Sequence, residues 1–214
     1  MTDTDSLFPF RFQLPEGFHP INLAATTDER IQSTYNRLRA VVPSWSDEQH
    51  LEATAAAAVA VETMLANGVI YAATFLGRSE RVPNSATMAN FTVAVHPAES
   101  RSARQPEEIV NILRQHRRNA KCALVDLPIG RCVATIEDDI LSATPEPSEK
   151  RYTVRQIQLI HPMGGLGKIA CFAMATQFVD DWEDYQAIMA NICKSIRWVS
   201  REGSSGIGSV LDGG

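Results

Sequence analysis

Residues 152–178 read YTVRQIQLIHPMGGLGKIACFAMATQF, two apolar-rich runs separated by a glycine-rich break. The spacing predicts strands over Tyr152–Ile160 and Lys168–Phe178, with Met163-Gly164-Gly165-Leu166-Gly167 as the turn between them. A connection this short cannot hold a crossover helix, so the two strands must pair antiparallel. Ile169-Ala170-Cys171-Phe172-Ala173-Met174-Ala175 is apolar at every position, which predicts a central strand covered on both sides. The alternation in Tyr152–Ile160 is muddled, so that strand is expected to carry a bulge or sit at an edge.

Upstream, Cys122–Leu127 and Arg131–Ile136 flank Pro128-Ile129-Gly130 and form a second hairpin. Val69–Leu76 and Met88–Val95 are a further strand pair, joined by a polar loop. Near the start, Phe8, Phe10, Phe12 and Leu14 alternate with other residues and predict a half-buried strand over Phe8–Leu14. His96-Pro97 and His161-Pro162 are read as lying just beyond strands.

Four helices fit between these strands. Thr26 with Glu29, and Ser46 with Gln49, are capping boxes that start two of them. The first helix is expected to bury Ile31, Tyr35, Leu38 and Val42. The second should bury Leu51, Ala55, Ala58, Val59, Leu65 and Ala66. Pro106 opens a third helix, whose inner face is predicted at Ile109, Ile112, Leu113 and His116. The last helix, capped at Asp180, carries Trp182, Tyr185, Met189, Ile192 and Ile196 at steps of three and four.

This order predicts an α+β fold: a mainly antiparallel sheet with helices on both faces. Residues 8–199 are expected to form one domain, with a disordered N-terminus over 1–7 and a flexible Gly/Ser-rich tail over 200–214.

The opening Phe10-Arg11-Phe12-Gln13-Leu14-Pro15-Glu16-Gly17-Phe18 resembles the start of the Mog1/PsbP-like superfamily. The ending, Asp181-Trp182-Glu183-Asp184-Tyr185 through Ser195-Ile196-Arg197-Trp198, is similar to that family's closing helix and terminus. The resemblance implies an α-β-α sandwich used chiefly to dock other proteins, and it implies no shared catalytic residues.

Composition narrows the function classes. The chain has 214 residues, 44% apolar and 21% charged, enough to bury a core without disulfide or metal staples. The net charge of −5 argues against a nucleic-acid binder. No run approaches the roughly 20 apolar residues of a bilayer span. Four cysteines show no CxxC pair and no zinc spacing, and no secretory signal is visible, so a cytoplasmic protein is expected.

Motifs for chemistry are sparse. Gly164-Gly165-Leu166-Gly167-Lys168 lacks the leading Gly, the Ser or Thr and the following helix of a phosphate loop. Glu137-Asp138-Asp139 lacks the spacing of a calcium loop and reads as solvated surface. No cofactor, metal or catalytic residue is expected, although a Cys and a His distant in sequence can still meet in space.

The clearest candidate is Arg101, Arg104, Arg114, Arg117, Arg118 and Lys121, six cations against Glu107 and Glu108 in the same stretch. Such a patch is expected to steer a protein partner with an acidic surface. A second candidate is Ile207, Val210 and Leu211 in the tail, able to add to a sheet edge or groove. The expectation is a non-catalytic interaction module: an adaptor, chaperone or regulatory subunit. The alternatives are a small-ligand or lipid-binding domain with a cleft beside the Ala-rich helix, and a Cys/His hydrolase.

Overall fold

The computed structural model describes residues 9–83, 85–98, 105–117, 119–142 and 151–199, with the side chains of 140–142 and 151–152 left aside. The elements run β1 (Phe10–Arg11), β2 (Phe18–Pro20), α1 (Thr27–Val41), α2 (Asp47–Ala66), β3 (Val69–Arg78) and β4 (Ala86–Pro97). Then follow α3 (Pro106–His116), β5 (Lys121–Leu127), β6 (Gly130–Ser142), β7 (Arg151–Met163), β8 (Lys168–Thr176), α4 (Trp182–Ser195) and β9 (Arg197–Trp198).

The main sheet has seven strands in the order β2-β3-β4-β8-β7-β6-β5. Every pairing is antiparallel. Alternation along each strand divides the side chains between two cores. Leu159 of β7 and Cys132 of β6 join one cluster, while their neighbours Ile160 and Val133 join another on the opposite face. The first cluster unites Phe91, Val93, Phe172 and Met174 with Tyr185, Met189 and Ile192 of α4. Burial of each such Val, Ile, Phe or Met side chain contributes roughly 1.5–3 kcal/mol. On the other face, Leu38 and Val42 of the α1–α2 hairpin meet Leu76 and Ala86, and Ile109 and Val110 of α3 cover Val133 and Ile160. The fold is therefore α+β, a mainly antiparallel sheet with helices on both faces.

Both capping boxes form. The Glu29 and Gln49 amides donate to Thr26 Oγ1 and Ser46 Oγ at 3.3 and 3.2 Å, and the reciprocal side-chain bonds are present. The turns fall where expected: Gly164–Leu166 is one 3-10 turn, and Gly167 closes it at φ +61°.

Several expectations are corrected. Among the described residues of the first predicted strand, only Phe10–Arg11 is paired, and it pairs with Arg197–Trp198 rather than with the main sheet. Its phenyl rings explain this placement: Phe10 packs on Phe172 and Phe12 on Phe91, so the segment crosses the core beside α4. The α2 face is rotated from the prediction. His50, Thr54 and Val61 are buried, while Leu51 and Val59 are 60% exposed. His50 sits inside with its ring nitrogens 2.9 and 3.1 Å from the Ser46 and Val42 carbonyls, either of which can accept from a ring N–H.

In α3, Val110 is buried where Ile112 and His116 were expected, and both of those are exposed. Asp180 does not cap α4. Asp181 precedes the helix instead, buried and accepting a hydrogen bond from Ser79 Oγ at 2.7 Å. His96 and His161 lie within β4 and β7. Strand β8 is central, but only one of its sides is fully buried; Ala173 and Ala175 are half-buried.

Candidate functional site

Helix α3 runs into β5 and places three of the predicted cations at one corner of the sheet. Arg114 stands exposed on the last turn of α3, Arg117 follows the helix, and Lys121 opens β5 opposite Ile136. Arg101, Arg104 and Arg118 lie outside the described residues, as do Ile207, Val210 and Leu211.

The corner is not purely basic. Strand β6 brings Glu137, Asp138 and Asp139 alongside. Arg117 Nη1 is 2.6 Å from Glu137 Oε1, which also accepts from Gln156 Nε2 at 2.6 Å. Arg155 grips Asp138 through two bonds of 2.6 and 2.8 Å. Those bonds hold the Asp138 carboxyl below its ordinary range, with the charge of Lys121 as a smaller contribution. A polar hollow of about 490 Å³ lies between His116, Arg117 and Asn119 on one side and the three carboxylates on the other. Of the predicted cations among the described residues, Arg117 is thus matched by a carboxylate once the strands assemble. Among the described residues, no group of three or more His, Cys, Asp or Glu is arranged to hold a metal ion.

The strand beside this corner is the less guarded feature. Among the described residues β5 pairs with β6 alone, so its other edge has no strand neighbour. Its sequence, Lys-Cys-Ala-Leu-Val-Asp-Leu, is mostly apolar, and Leu124 is 43% exposed. Asp126, at the far end, is tied to Arg131, which also reaches Glu107 of α3.

The fold also joins a Cys and a His from neighbouring strands. Cys132 Sγ lies 3.4 Å from His161 Nδ1, with the Gly130 carbonyl as a second acceptor at 3.4 Å. Cys132 is fully buried. Burial pushes its thiol up to about 12. Burial also pushes the imidazole down, against a hydrogen bond to the Arg131 backbone. Both shifts favour the neutral partners, so the proton stays on sulfur, whereas a nucleophilic pair needs the thiolate.

Above this pair lies an apolar hollow of about 510 Å³, walled by Ile129, His161, Met163, Leu166 and Trp198. Trp198 donates its indole N–H to the Ile129 carbonyl at 3.3 Å. The Ala-rich stretch of α2 lines neither hollow. No helix among the described residues is long and apolar enough to cross a membrane.

No protein-family model matches the chain, and no curated protein does.

Proposed function

We propose that this chain is a non-catalytic protein-interaction module of the cytoplasm, an adaptor, chaperone or regulatory subunit, whose β5 edge accepts an extended segment of a partner protein. The observation that carries this reading is the seven-residue apolar strand Lys121–Leu127, paired on one side only among the described residues, with Leu124 exposed. Such an edge offers a row of backbone donors and acceptors that a partner strand can complete. Arg114 and Lys121 beside it suit a partner with acidic residues. The resemblance to the Mog1/PsbP-like superfamily, which implies docking without shared catalytic residues, supports the same reading. So does the burial of the Cys132–His161 pair, which favours the neutral thiol and the neutral imidazole.

The test is affinity capture from native lysate with wild-type protein and the Leu124→Asp variant, at low and high salt. The reading predicts a stoichiometric protein partner that Leu124→Asp loses and that high salt weakens. A partner retained equally by the variant, or no partner at all, contradicts it.

The apolar hollow under Trp198 favours a second reading, a site for a small apolar ligand. Native mass spectrometry of freshly purified protein would then show a retained molecule, and a clean apo mass would dismiss it.

A further inference from the structure

The ribbon formed by β1 and β9 sets two like charges opposite each other. Arg11 and Arg197 are register partners, and both are exposed. Directly opposed like charges destabilise a strand pair, and among the described residues this ribbon has two register pairs and a Val199 N–H bond to the Pro9 carbonyl to offset the repulsion. Alternation sends Phe10 and Trp198 to the other side, where their rings pack 4.5 Å apart, so the two arginines share the outward side.

Arg197 is held in place. Its Nη1 donates to the carbonyls of Lys194 and Ile196 at 2.6 and 2.8 Å, at the partly negative end of α4. Lys194, in the last turn of that helix, is exposed. Among the described residues, Arg11, Lys194 and Arg197 pair with no carboxylate. This distinguishes them from Arg117, Arg131 and Arg155, each of which is matched.

We propose that Arg11, Lys194 and Arg197 form a recognition site for an acidic segment of a partner protein. The site rests on reading the chain as an interaction module, and it names the chemistry of one contact. Two or three carboxylates would relieve the Arg11–Arg197 opposition, and the Arg197 guanidinium is already fixed by its two carbonyl bonds. Three cations on a chain of net charge −5 suit a short acidic segment rather than the long phosphate ladder of a nucleic acid.

The test titrates isotope-labelled full-length protein with a hexaglutamate peptide, and separately with inorganic phosphate, following backbone amide shifts. The expected result is shifts at Arg11, Lys194 and Arg197, with affinity falling as salt rises. The Arg11→Glu/Lys194→Glu pair should weaken binding by about tenfold. Arg11→Gln/Lys194→Gln should weaken it less. Both substitutions fall on exposed side chains, and Arg11→Glu places a carboxylate opposite Arg197, so the ribbon is kept.

Absence of binding, unchanged affinity in the double variant, or shifts confined to Arg114–Lys121 would overturn the site. Phosphate binding as tight as hexaglutamate would also overturn it, marking a simple anion site. A partner captured equally by the double variant overturns this site and leaves strand addition at β5 standing. Failure of capture overturns the wider reading, while hexaglutamate still reports on these three cations.

Discussion

Cys132 Sγ and His161 Nδ1 lie 3.4 Å apart on neighbouring strands, and both side chains are buried. The thiol is pushed up to about 12 by burial. Burial therefore favours the thiol over the thiolate. Under native conditions a thiol reagent should modify half-buried Cys122 first and leave Cys132 intact until the protein unfolds. Mass spectrometry of tryptic peptides reads the order, and fastest labelling at Cys132 would revive the hydrolase reading.

The two faces of α2 and α4 predict opposite outcomes for similar substitutions. Ile192→Ala removes a fully buried side chain from the α4 core and should cost about 2–5 kcal/mol. Leu51→Ala and Val59→Ala, on the exposed side of α2, should change stability by no more than about 0.5 kcal/mol. Urea denaturation of the three variants measures this. A large loss at Leu51 or Val59 would put those residues inside.

Gly17 leaves little room for a side chain. It holds φ +88°, and a Cβ there would stand 2.7 Å from Cε2 of Phe75. Gly17→Ala should destabilise by at least about 1 kcal/mol, because strain and steric conflict act together. A thermal melt matching wild type would contradict this geometry.

Acid should weaken the fold in a defined window. Hydrogen bonds from Arg131, Arg155 and Arg81 hold Asp126, Asp138 and Asp184 below the ordinary aspartate value of 3.8. A depressed carboxylate contributes stability above its unfolded value and loses it as pH falls through the folded value. The Tm should hold between about pH 6 and 5 and fall below about pH 4. High salt should shrink the fall, since these pairs are largely exposed. A Tm unchanged down to about pH 2.5 would show that these pairs contribute nothing.

Much of the architecture was legible because local signals agreed. Trp182, Tyr185, Met189, Ile192 and Ile196 step along one helical face, and all five are buried. The boxes at Thr26 and Ser46 start their helices as read. What was hidden depends on tertiary partners. His50 and Thr54 displace Leu51 and Val59 from the interior because nearby carbonyls satisfy them. Arg117 looked unopposed because Glu137 arrives from a strand about twenty residues further on. Cys132 and His161, and likewise Arg11 and Arg197, are joined only by strand pairing. Alternation placed the side chains of single strands well, but it could not say which strands are neighbours.

The outer edge of β5 is where the partner is proposed to dock. Hydrogen–deuterium exchange, comparing isolated protein with the captured complex, tests it most directly. In isolation, the outward amides of Lys121–Leu127 should exchange faster than those of central β8; in the complex they should become protected while α2 is unchanged. Protection that appears elsewhere and leaves Lys121–Leu127 exchanging freely in the complex would contradict the claim that this strand is where the partner docks.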